Sequence, residues 1–167
     1  MQDNIIVKPS VEKQFDRFLR QGRVLFFSAP CGFGKTAVAE ALLSSREVLR
    51  LPVDSVGSKL PSAEADWQIL LLDDLQDMQE EQDWTALCEL IRVCPERRFV
   101  LLSRGTPPGS LMAFQYTGLM MVLEADDLLF DADDVRRLLR LYGVEAADSE
   151  IDGILKESVG YPLGVAI

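Results

Sequence analysis

Short, nearly continuous apolar runs recur along this chain at residues 24–27, 48–53, 69–72, 99–102 and 119–123. Between them lie stretches in which apolar residues fall three and four apart. A strand without polar alternation is one buried on both faces, the situation of parallel strands covered by helices. The alternation of such runs with helical stretches therefore predicts an α/β sheet. The second run is interrupted by Arg50 and Pro52 and predicts an edge strand. Between the third and fourth runs, Trp84, Leu87, Leu90, Ile91 and Cys94 keep helical spacing, and Pro95 stops that helix.

Beyond residue 124 the pattern becomes helical only. Asp131 precedes an acidic start that passes into Arg136 and Arg137, with Leu138, Leu139 and Leu141 as the apolar stripe. Asp148 is the expected cap of a second helix over 149–159, with Ile151, Ile154 and Leu155 inward and Gly160 ending it. The expected division is a sheet domain over residues 1–125 and a small helical lid over 126–167. The apolar stretch 163–167 suggests a segment cut from something longer.

The first strand leads into Ser28-Ala29-Pro30-Cys31-Gly32-Phe33-Gly34-Lys35-Thr36, and a helix-like run opens at Ala37. A glycine-rich loop between a strand and a helix is the context in which backbone N–H groups cradle phosphate. Gly32 and Gly34 allow the backbone to curl where a side chain would clash. The candidate phosphate-binding set is thus Cys31, Gly32, Phe33, Gly34, Lys35, Thr36 and Ala37. Lys35 would reach the outer phosphates and Thr36 would hold Mg²⁺. The bland alternative is a glycine-rich turn with an exposed lysine. The third strand ends in Asp73 and Asp74, which suit a metal-organising carboxylate and a base for water, or simply a solvated loop. Arg104 follows the fourth strand, where a cation can face a terminal phosphate or pair with the acidic residues nearby.

Composition narrows the choices. The net charge of −10 argues against this segment gripping nucleic acid unaided. With no histidine, imidazole catalysis and most transition-metal sites are excluded. Three cysteines (Cys31, Cys88 and Cys94) without metal-ligand spacing suit a reducing compartment. Neither a signal peptide nor an apolar run of membrane length is visible, so the expected location is cytoplasmic.

Taken together, these motifs resemble the nucleotide-binding module of MalT-like, LuxR-type STAND regulators, signal-transduction ATPases related to AAA+ proteins. The resemblance rests on Lys8-Pro9 before the first helix, on Gly22-Arg23-Val24 leading into the loop, and on Leu72-Asp73-Asp74. It rests equally on Leu102-Ser103-Arg104 with Pro107-Pro108, on Asp127-Leu128-Leu129-Phe130, and on Gly160-Tyr161-Pro162-Leu163. It implies a P-loop NTPase sheet of the ASCE/AAA-like type, order 5-1-4-3-2, with a lid folded over ATP or ADP. It also implies that Lys8, Pro9 and Pro162 flank the base, and that Lys35, Asp74 and Arg104 serve slow hydrolysis. Self-association and DNA binding through further regions would follow, without membrane attachment. One departure is the connection 54–66 between the second and third strands, which is shorter than the family's and close to the least a parallel crossover needs. Two other readings use the same residues: a P-loop kinase or motor-type ATPase, and a degenerate module that only mediates assembly.

Overall fold

In the computed structural model, which describes residues 5–53 and 60–162, the first apolar run is strand β1 (Val24–Ser28). Its side chains divide between two cores, Val24 and Phe26 into one and Leu25 and Phe27 into the other. Strands β3 (Ile69–Leu72) and β4 (Arg98–Ser103) divide in the same way. Leu70, Leu72, Phe99 and Leu101 join the first core, while Ile69, Leu71, Val100 and Leu102 join the second. Side chains of a strand point alternately to its two faces, so a strand covered on both must be apolar throughout.

Five parallel strands lie in the order β2-β3-β4-β1-β5, with β2 (Val48–Leu51) and β5 (Met120–Glu124) at the edges. This is the expected order, counted from the opposite edge. The register sets Ser28 beside both Ser103 and Glu124, so the carboxyl ends of β1, β4 and β5 finish level. Edge strand β2 is only half-buried, and its Arg50 turns outward to Glu40 at 2.5 Å. It stops at Leu51, before Pro52, which has no N–H to offer a ladder.

Helix α3 (Glu81–Val93) covers the first core with Leu87, Cys88, Leu90 and Ile91. Helices α1 (Pro9–Gln21) and α2 (Lys35–Leu43) cover the second through Val11, Phe15, Phe18, Val38, Ala39 and Leu43. Pro9 occupies the first turn of α1, where a missing N–H costs nothing. As expected, α3 ends before Pro95, and its last carbonyls find a partner in Arg23. The Arg23 guanidinium donates to the carbonyls of Ile91 (2.5 Å), Cys94 and Arg97 (3.1 Å), joining the start of β1 to the end of α3. Burial, and secondarily Arg98, lowers the Arg23 pKa from the usual arginine value.

Helix α4 (Met112–Tyr116) and the 3₁₀ turns Leu75–Asp77 and Gly109–Leu111 do not appear in the sequence reading. Each is too short to show a period. After β5, the short α5 (Ala125–Leu128) leads to α6 (Ala132–Leu141) and α7 (Asp148–Ser158), which pack on each other with Val135, Leu138 and Ile151 buried. Asp131 caps α6 as expected. Asp131 and Asp134 exchange backbone N–H and carboxylate, both at 3.0 Å.

Asp148 is not the cap of α7 but its first residue, with Ala147 before it. Its carboxylate instead takes Arg136 at 2.9 Å, and Glu150 accepts the Ala147 N–H at 2.7 Å. Leu141 is exposed rather than part of the apolar face. Of the connection 54–66, residues 54–59, including Gly57, lie outside the described residues, and 60–66 contains no helix. The apolar stretch 163–167 also lies outside them.

Candidate functional site

The carboxyl ends of β1 and β4 finish level, β3 ends two residues short of β4, and the loop from Ser28 to Lys35 follows directly on β1. Ala29 is buried and donates its N–H to the Ser103 carbonyl at 3.2 Å, fixing the loop's first turn to β4. Gly32 and Gly34 have φ of 85° and 77°, the left-handed region in which glycine meets no Cβ penalty. Gly34 is the N-cap of α2, and among the described residues no side chain caps that helix start. The first-turn N–H groups at Lys35, Thr36 and Ala37 and the helix dipole thus mark a place for an anion.

Lys35 lies over this loop, donating from Nζ to the carbonyls of Ala29 (2.5 Å) and Pro30 (2.9 Å). Burial lowers its pKa from the usual lysine range, Asp73 works against that shift, and Arg104 adds a smaller lowering. Two cations, from the loop and from the end of β4, therefore face the same region. The Thr36 hydroxyl donates to Asp73 Oδ2 at 2.7 Å, bringing loop and β3 together across the sheet. The other Asp73 oxygen accepts the Asp74 N–H at 2.7 Å.

Among the described residues no three metal-ligating side chains cluster. Thr36 and Asp73 are two hard oxygen donors in contact, a set that fits Mg²⁺, which keeps waters and phosphate oxygens as its remaining ligands. When bound, the cation would supply charge neutralisation at phosphate oxygens. Beside Asp73 a cleft of about 680 Å³ is lined by Pro52, Val53, Asp73, Asp74, Asp77 and Met78.

Asp74 takes a left-handed conformation, φ 57°, at the start of the Leu75–Asp77 turn. Arg104 stands 4.0 Å from its carboxylate, and both side chains are well exposed, so this pair by itself contributes little. Gln76, absent from the sequence reading, touches both: its Nε2 donates to Asp74 Oδ1 at 2.8 Å, and its Oε1 accepts the Arg104 N–H at 3.0 Å. No sequence signal distinguishes this glutamine from an ordinary polar loop residue.

The segment after α7 reaches the loop through Tyr161. Its hydroxyl donates to the Cys31 carbonyl at 2.8 Å, and its ring lies 5.0 Å from that of Phe33. The Cys31 side chain is exposed. Pro162 follows Tyr161 and is half-buried.

Lys8 and Pro9 belong to a different contact. Lys8 Nζ meets the buried Asp134 carboxylate at 3.1 Å and the Leu129 carbonyl. Pro9 borders a cavity of about 400 Å³ shared with Asp134 and Arg137. Arg137 in turn donates to the Val7 carbonyl at 3.3 Å. The structure thus assembles Cys31 through Ala37 with Asp73, Asp74 and Arg104, and directs the Lys8 ammonium to Asp134 of α6.

Neither a family model nor a curated protein matches this sequence. Solved structures do match its fold. A single-site variant of Thermotoga maritima RuvB superposes with a TM-score of 0.62 at 19% identity, over 96% of this chain and 59% of that one. A signal transduction ATPase with numerous domains (STAND) bearing a tetratricopeptide repeat sensor, from Pyrococcus horikoshii, gives 0.65 at 11% identity, over 98% of this chain and 29% of that one. A Walker-type ATPase of Pyrococcus abyssi gives 0.63 at 11% identity, over 96% and 66%. The fold is that of the P-loop NTPases. The chain spans less than two thirds of the length of each of these relatives in structure.

Proposed function

We propose that this chain is the ATP-binding switch of a MalT-like, LuxR-type STAND transcriptional regulator, taking Mg²⁺ with ATP or ADP between the loop and the lid. The observation that carries the nucleotide reading is the Thr36–Asp73 contact at 2.7 Å above an uncapped helix start, with Lys35 beside it. The STAND assignment draws on the sequence resemblance and on a fold shared with a STAND protein.

In this reading the first-turn N–H groups of α2 and Lys35 hold the phosphates, and Thr36 and Asp73 hold the cation. Asp74 orients the attacking water and Arg104 responds to the terminal phosphate. Pro9 and Pro162 flank the base. Lys8, whose ammonium is engaged by Asp134, keeps the lid on α1 and borders the base through its stem. Hydrolysis is slow and resets the switch, because a switch works through differential affinity for two states. Self-association and DNA binding belong to the whole regulator, with any DNA contact made by regions outside this chain.

The test is calorimetric titration of ATP, with and without Mg²⁺, into the wild type and Lys35→Ala. The expected result is Mg²⁺-dependent binding that the substitution abolishes. A folded wild type that binds neither ATP nor ADP would move the assembly-module reading to the front.

A further inference from the structure

Gln76 is held where it is by the fold rather than by chance of side-chain packing. Leu75 is fully buried and anchors the 3₁₀ turn, while Asp74 enters it left-handed and accepts the Asp77 N–H at 2.9 Å. This folds residue 76 back over the ends of β3 and β4, neighbouring parallel strands in which Leu72 pairs with Leu101. A second glutamine, Gln79, donates to the Gln76 carbonyl at 3.0 Å and steadies the turn.

Both ends of the Gln76 amide are used, and with unambiguous polarity. A carboxylate can only accept and a backbone N–H can only donate, so Nε2 must face Asp74 and Oε1 must face Arg104. The exposed Arg104 guanidinium closes the circuit loosely at 4.0 Å from the same Asp74 oxygen. One oxygen of Asp74 is therefore tied down by Gln76.

We propose that Gln76 is a positioning residue that couples Asp74 to Arg104, so that the two strand ends respond to the terminal phosphate as a unit. This rests on the ATP-switch reading of the site. Gln76 acts by fixing one Asp74 oxygen and the backbone from which Arg104 projects. Losing a hydrogen bond to a charged group at such a junction is expected to weaken discrimination between ATP and ADP about tenfold.

The experiment measures ATP and ADP affinities, with Mg²⁺, for the wild type, Gln76→Ala, Gln76→Glu and Lys35→Ala. Loss of both nucleotides in Lys35→Ala verifies the site itself, separately from the role of Gln76. In Gln76→Ala, ADP affinity stays within twofold of wild type while the ATP-to-ADP preference falls about tenfold. Gln76→Glu keeps the acceptor for the Arg104 N–H but offers Asp74 a like charge, so its preference falls at least as far. Retained ADP binding shows that each variant is folded.

An Arg104→Ala, Gln76→Ala double variant should lose no more preference than the larger single variant, because both substitutions break one circuit. Additive losses, or an unchanged preference in Gln76→Ala, would overturn the proposal. So would a wild type that binds ATP and ADP alike. A wild type that binds neither nucleotide would remove the ATP-switch reading instead.

Discussion

At Gly160 the backbone passes close to that of Phe130, and replacing this glycine with alanine isolates that approach. Its φ is 75°, and a Cβ there would stand 2.6 Å from the Phe130 carbonyl oxygen. The left-handed conformation alone costs an alanine about 1–2 kcal/mol. The clash adds to this because the obstacle is backbone, which cannot rotate away. Moving Phe130 also stretches its N–H bond to the Gly160 carbonyl, 2.8 Å long, at a further cost of about 1 kcal/mol.

Gly160→Ala should therefore lose about 2–3 kcal/mol in urea unfolding. Gly118 supplies the control, since its φ is 76° with nothing within 4 Å of a Cβ. Gly118→Ala should lose only the conformational part, about 1–2 kcal/mol. If the two variants unfold at the same urea concentration with the same slope, the close approach is not what holds Gly160. Because Tyr161 follows directly, Gly160→Ala should also weaken ATP binding while Gly118→Ala leaves it unchanged.

Three further outcomes are expected. Val159, 77% exposed and at φ 53°, carries a branched side chain in the left-handed region. Val159→Asn should raise stability by about 1 kcal/mol in the same unfolding assay, and a loss would refute the strain. Arg23→Ala removes donors from three carbonyls and should cost about 2–4 kcal/mol, against less than about 0.5 kcal/mol for the exposed Arg20→Ala. The Asp131 carboxyl lies below the usual range because it accepts the Asp134 N–H, with Lys8 helping and burial opposing.

A depressed carboxyl stabilises fully above its unfolded pKa of about 3.9, and that contribution disappears as pH falls through the folded value. Asp131→Asn keeps the cap but should flatten the stability profile between about pH 4 and the folded value, whereas Asp131→Ala should cost about 1 kcal/mol at neutral pH. A wild-type profile already flat across that interval would refute the linkage.

Local pattern determined much of this protein. The unbroken apolar runs at β1, β3 and β4 required burial on both faces, and Ser28 through Thr36 between a strand and a helix specified the loop. Asp131 with Asp134 three residues later specified the start of α6. These are short-range signals in which neighbouring residues create the structure they describe. Asp148 shows the limit, since an acid before a helix fits either the cap or the first turn. The decision went to Arg136, twelve residues away and reached only through packing of α6 on α7.

The same distance hides the remaining features. Gln76 acquires its role because a buried Leu75 and the pairing of β3 with β4 fold it between Asp74 and Arg104. Tyr161 meets Cys31 across 130 positions of chain, and Phe33 with it. Lys8 reaches α6 because Asp134, 2% exposed, is a buried charge that must find a cation. Such partners are chosen by burial and proximity in three dimensions, which no spacing along the chain encodes.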